Sequence, residues 1–161
     1  MKIESTKRIV IKIGSSLLFD NTTKKLNKEW LISLAEDVNF LKSQNKEIII
    51  VSSGAIAFGA KDLNLEMAEL RLDIHQALAA VGQIQLMSAF KNAFEKYESK
   101  VSQILLTLDD TEKRRPSINA RRTIDNLLKL NIVPVVNEND TIATNEIKYG
   151  DNWSRLLNSS F

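Results

Sequence analysis

No cysteine occurs anywhere in the chain. Its absence excludes disulfides, thiolate metal sites and a cysteine nucleophile. A single histidine is present, His75, and with no partner in view along the sequence it reads as a surface or capping residue. The start has no long apolar core of the kind that marks a secretory signal, and no later run approaches the ~20 residues needed to cross a bilayer. The expected compartment is therefore the cytoplasm. Charge of one sign is also scarce: 22 Lys and Arg against 20 Asp and Glu leave a net +2, too slight to predict nucleic-acid or membrane binding from charge alone. The two commonest nucleotide-binding devices are missing as well. No GxGxxG follows a strand-like run, and Gly54 and Gly59, which have the separation of a Walker loop, are followed by Ala60 where its lysine belongs. Internal repeats, low-complexity tracts and interdomain linkers are lacking too.

What remains is an ordinary globular composition. At 161 residues, 43% hydrophobic and 26% charged, the chain is long enough for one domain with a real core. Apolar, β-branched runs at Arg8 to Ile13, Glu47 to Val51, Val101 to Thr107 and Ile132 to Val136 read as strands. Between them lie helical patterns. Asn27 is placed to cap a helix with Trp30, Leu34, Val38 and Leu41 on one face. Leu70 to Tyr97 reads as a long helix with Ile74, Leu78, Val81, Met87, Phe90, Phe94 and Tyr97 inward, narrowed by Ala77, Ala79, Ala80 and Gly82. Met67 and Met87 read as core or gap-filling residues. Ser117 to Leu130 follows, with Ile118, Ile124, Leu127 and Leu128 inward. Pro134 would ordinarily demote its strand to an edge or a bulge. Strands alternating with helices predict an α/β domain with a mainly parallel sheet.

Polar chemistry gathers where these strands end. Asn137-Glu138-Asn139-Asp140, followed by Gly150-Asp151-Asn152, comes just after the last apolar run, where a ligand crevice opens in a parallel sheet. Carboxylates there can hold an ammonium while amides fix its orientation, which suits a small zwitterion; the same four residues also read as an Asx-rich turn. Lys12 with Gly14, Ser15 and Ser16 reads as a phosphate clamp or as a solvated lysine beside a tight turn. Ser52-Ser53-Gly54-Ala55, between a strand and a helix, has the unpaired N–H groups and hydroxyls of an anion site. Gln76 and Gln83 border the narrow part of the long helix and read either as residues that reach a site or, the plainer reading, as solvated helix polars. Asp109 and Asp110 open a polar crossing that runs into Lys113, Arg114, Arg115 and Pro116. With Arg121 and Arg122, this basic segment reads as a solvated face rather than a nucleic-acid surface, since aromatic stacking partners are absent.

Beyond these patterns, the segments IVIKIGSSLL, IIIVSSGAIAFGA, ALAAVGQIQLM, SQILLT, INARRTI and NIVPVVNENDTIATNEIKYGDN, in this order, resemble the amino-acid kinase family and within it the glutamate 5-kinases. The resemblance covers nearly everything from Arg8 to Asn152, Pro134 included. It implies a three-layer sandwich with a mainly parallel sheet, incomplete at its carboxyl end. It also implies ATP- and magnesium-dependent phosphorylation of the side-chain carboxylate of L-glutamate, the first step of proline synthesis, by an enzyme that assembles with copies of itself and binds neither membrane nor nucleic acid.

Carried over by motif, Lys12 contacts the transferring phosphate with Gly14 and Ser15. Ser53, Gly54 and Ala55 hold glutamate at a helix N-terminus, Asn137, Asp140 and Asn152 bind the amino acid, and Asp151 orients the phosphate-binding lysines. No residue is assigned to a metal. Residues 1–152 are the expected glutamate-binding part and 153–161 a divergent tail, with the nucleotide-binding half and an RNA-binding-like terminal domain absent. Weak or no kinase activity is expected of the chain alone, and a non-catalytic glutamate-binding or assembly remnant is the alternative.

Overall fold

The computed structural model describes residues 5–20, 25–66 and 71–142, with the backbone alone at Leu108 and Thr111. In chain order the elements are β1 (Arg8–Ile13), α1 (Ser15–Leu18), α2 (Lys28–Ser43), β2 (Glu47–Ser52), α3 (Ala55–Asp62), α4 (Leu72–Glu95), β3 (Val101–Leu106), α5 (Leu108–Glu112), α6 (Arg114–Lys129) and β4 (Val133–Glu138). The four strands form one sheet in the order β1-β2-β4-β3. Every pairing is parallel, so all four carboxyl ends lie along one edge.

A strand covered on both faces needs apolar residues at consecutive positions, and β2 supplies them: Ile48, Ile49, Ile50 and Val51 are all buried. Ile48 and Ile50 pack with Val133 and Val135 against Leu31, Ala35 and Val38 of α2 and Leu86, Phe90 and Phe94 of α4. On the opposite face Ile49, Val51, Leu106 and Val136 pack against Ile124 of α6, with Ala120 and Leu128 beside it. The result is the expected three-layer arrangement of helices, sheet and helix. Among the described residues, no helix is long and apolar enough to cross a membrane.

Local signals place most boundaries. Asn27 caps α2, its side chain accepting from the Trp30 backbone N–H at 3.2 Å. The α4 positions Leu78, Phe90 and Phe94 are buried as the pattern predicts. Ile74, by contrast, is 39% exposed one turn from the helix start, and Ile118, near the start of α6, is 38% exposed. Each lies outside both core clusters. The polar crossing expected at Asp109 and Asp110 is helical: Thr107 and Asp110 form a reciprocal capping box that starts α5. Helix α6 then begins before Pro116, which occupies a first-turn position whose N–H has no intrahelical partner. Met67 and Leu70 lie outside the described residues.

Pro134 overturns the expectation of an edge strand, because β4 lies between β2 and β3. The Val133 N–H donates toward β3, to the Lys100 carbonyl at 2.9 Å. Successive residues donate to opposite sides, so the Pro134 nitrogen faces β2. There the pairing begins only at Ile50↔Val135, one residue later. The missing donor therefore falls where no ladder bond was needed.

Candidate active site

Parallel pairing brings the polar turns together. Ile13 ends β1 and Ser52 ends β2 in register with it, and beyond them the Ser53 backbone N–H and Oγ both donate to the Ile13 carbonyl, at 3.2 and 3.3 Å. Gly54 caps α3 with φ +108, a left-handed conformation that a side chain strains. A Cβ at Gly54 would stand 3.0 Å from the Ser15 Cβ, so this turn rests directly on the one after β1. Lys12, Gly14 and Ser15 are exposed on one side of that contact, while Ala55 is buried at the start of α3.

Helix α4 reaches this edge because small residues let it approach. A Cβ on Gly59 would overlap the Leu78 carbonyl, and one on Gly82 would overlap the Ala55 carbonyl, so α3 and α4 meet backbone to backbone. That approach carries Gln83, next along α4, to the carboxyl end of β4. There Asn137 Nδ2 donates to Gln83 Oε1 at 2.8 Å, with Asn137 only 4% and Gln83 9% exposed. Gln83 Nε2 is sealed from solvent and has no hydrogen-bond partner among the described residues. An unpaired buried donor of this kind costs about 1–3 kcal/mol.

Past Asn137 stand two carboxylates. Burial first, and then the negative charge of Asp140, push the Glu138 carboxyl up to about 7. Burial also raises the Asp140 carboxyl above its ordinary value. One Glu138 oxygen is sealed and has no partner among the described residues. The turn is tied to β3 by the Asn139 N–H, which donates to the Leu106 carbonyl at 2.9 Å, and Thr141 Oγ1 donates to Asn139 Oδ1 at 2.6 Å. Two half-buried carboxylates with no cation between them among the described residues make a site that an ammonium group would neutralise.

Of the residues singled out in the sequence, Lys12, Gly14, Ser15, Ser53, Gly54, Ala55, Asn137 and Asp140 all lie at the carboxyl edge, on the adjacent strands β1, β2 and β4 or in the turns that follow them. Asp151 and Asn152 fall outside the described residues. Of the two readings of Gln83, a solvated polar or a residue within reach of a site, burial excludes the first, because Gly82 brings its backbone against α3. The signal for it was the run of small residues just before it. Glu138 belonged to the singled-out stretch without a role, and burial at the end of β4 gives its carboxyl a raised affinity for protons. His75 is half-buried rather than at the surface, with Nε2 sealed. Among the described residues no group of three or more His, Asp or Glu side chains is placed to hold a metal ion.

A family model described as the amino acid kinase family matches residues 7–157. Among curated relatives, a glutamate 5-kinase from Pelagibacter ubique (strain HTCC1062) is 58% identical over 152 residues, covering 94% of this chain and 41% of the relative. One from Ruegeria sp. (strain TM1040) is 52% identical over 150 residues, covering 93% of this chain and 41% of the relative. The chain thus spans about two fifths of the length of these relatives. Among solved structures, carbamate kinase from Giardia superposes with a TM-score of 0.53 at 10% identity, covering 83% of this chain and 58% of that one. UMP kinase from Ureaplasma parvum does so with a TM-score of 0.51 at 19% identity, covering 82% and 54%. These two likenesses bear on the fold alone, and they agree with the α/β architecture and its parallel sheet. With most of its length matched by the family model, the chain belongs to the amino acid kinase family.

Proposed function

We propose that this chain carries the amino-acid side of a glutamate 5-kinase site, for ATP-dependent phosphoryl transfer to the side-chain carboxylate of L-glutamate in the cytoplasm. The observation that carries the reading is the meeting, at one sheet edge, of the Ser53–Ala55 turn, the Asn137–Asp140 turn and the end of β1 with Lys12. Asp140 and its neighbour Glu138 face the ammonium of the amino acid, and Asn137 orients it. Ser53, its hydroxyl turning from the Ile13 carbonyl to the ligand, and the N-terminus of α3 take a carboxylate.

The glutamate side-chain carboxylate attacks the γ-phosphorus of ATP. A new oxygen–phosphorus bond forms as the bond to ADP breaks, giving glutamyl 5-phosphate. That carboxylate is already ionised at neutral pH, so no general base is required. The work left to the protein is positioning and neutralisation of phosphate charge. Lys12 supplies a point positive charge, and Gly14 and Ser15 supply backbone and hydroxyl donors at an exposed turn that a phosphate can approach. Magnesium, held by the nucleotide phosphates, would add to the neutralisation of their charge. Asp151, orienting the phosphate-binding lysines, and Asn152, on the amino acid, complete the assignment by family motif.

Calorimetric titration tests the reading. L-Glutamate is expected to bind the folded chain, while aspartate, N-acetylglutamate and uridine monophosphate are not. A folded sample that ignores glutamate, or prefers one of the others, overturns it. A second reading is a non-catalytic glutamate-binding or assembly module. It shares the binding signature and differs in turnover. ADP release at about 1 s⁻¹ or faster with glutamate, ATP and magnesium would exclude it.

A further inference from the structure

Gln83 belongs to α4, away from every turn assigned above, yet it stands between two of them. Its neighbour Gly82 lies against the Ala55 carbonyl at the start of α3, and its own Oε1 accepts from Asn137 Nδ2 at the end of β4, 2.8 Å away. An asparagine amide can present either its oxygen or its nitrogen to a ligand, and the choice decides whether the site offers an acceptor or a donor. Giving Nδ2 to Gln83 settles that choice, leaving Oδ1 as the acceptor that Asn137 can offer. We infer that Gln83 is a positioning residue of the amino-acid site, holding Asn137 so that its oxygen is presented to the ammonium of the bound amino acid. This rests on the glutamate reading of the site. Gln83 acts through Asn137 and needs no contact with the ligand.

A double-mutant cycle on the 161-residue chain tests this, with L-glutamate as the probe and calorimetry as the readout. Gln83→Met keeps the length of the side chain and removes its amide. It is expected to weaken glutamate binding about five- to tenfold, the range of one lost hydrogen bond. Asn137→Ala weakens binding at least as much, and the double variant binds no more weakly than Asn137→Ala alone. Effects that multiply, or a Gln83→Met chain that binds like the wild type, overturn the inference.

A second measurement does not depend on glutamate. In the unliganded chain, nitrogen-15 spectra should show the Asn137 side-chain amide protons shifted and slow to exchange, with both features lost in Gln83→Met. If those signals do not change, Gln83 does not fix Asn137 and the inference fails. If they do change while the wild type ignores glutamate, the positioning stands and the glutamate reading falls.

Discussion

Gly82 and Ala55 meet backbone to backbone: a Cβ on Gly82 would overlap the Ala55 carbonyl oxygen and press on the Gly59 nitrogen. No flexible side chain is available to yield, so α4 would have to withdraw from α3. Gly82→Ala should therefore destabilise the chain by about 3 kcal/mol or more, at the upper end of what overpacking does. Urea denaturation measures it. Gly59→Ala, which meets the Leu78 carbonyl in the same contact, should behave alike. Either variant unfolding at the wild-type midpoint would mean that the helices are not in such close contact.

The Gln83–Asn137 bond leads to an asymmetry in stability. Gln83→Met removes a side chain whose Nε2 is already unpaired and leaves Asn137 Nδ2 unpaired in its place, so one orphan replaces another. Its effect on stability should stay within about 1 kcal/mol. Asn137→Leu instead strips Gln83 of its acceptor bond and leaves both ends of that amide buried without a partner. The expected cost is about 1–3 kcal/mol. Denaturant midpoints at matched slopes decide between the two, and equal losses would count against the bond.

The alternation of apolar strand runs and helical patterns was enough to read an α/β fold, and the polar residues singled out at strand ends lie along its carboxyl edge. Pro134 misled because a local rule about proline cannot see where a neighbouring strand begins; in space its missing donor falls just before the β2–β4 ladder. Gln83 misled for a different reason. Glutamine on a helix is usually solvated, and only the contact of Gly82 with α3 shows that this face is turned inward. The protonation of Glu138 was illegible too, since it depends on burial and on Asp140 two residues on. Ile74 and Ile118 fit their helical stripes, yet both lie outside the two core clusters, because periodicity marks a face without saying what packs on it.

At the amino edge of the sheet, opposite the site, Arg8 donates from Nε to Glu47 at 2.9 Å and from a terminal nitrogen to Asp125 at 2.8 Å, tying β1 to β2 and α6. The three side chains are between 24% and 35% exposed, so solvent weakens the pairs. Arg8→Gln should cost about 1 kcal/mol or less, and the difference should shrink in high salt as the charges are screened. Glutamate affinity should not move, because the cluster lies at the opposite edge of the sheet from the described turns assigned to the site. A parallel loss of binding would mean that the two edges are coupled.

Glu138 should make the stability of the unliganded chain depend on pH in a direction that can be stated beforehand. Its folded carboxyl is pushed up to about 7, by burial first and then by Asp140, from an ordinary value of 4.5. A raised pKa means that the folded state holds the proton more tightly than the unfolded chain does. The stabilising contribution is complete below the unfolded value and is lost as pH climbs through the folded one. Glu138→Gln stays neutral throughout, so its melting temperature should gain on the wild type between about pH 5 and about pH 8 and then hold level. An ammonium arriving beside Glu138 and Asp140 should favour their ionised forms, so glutamate binding near pH 6 should expel protons. Titrations in buffers of different ionisation enthalpy would register that release in the wild type and a smaller one in Glu138→Gln. A melting-temperature gap that stays constant across this pH range would show that Glu138 is an ordinary solvated carboxylate, and the ammonium site would then rest on Asp140 alone.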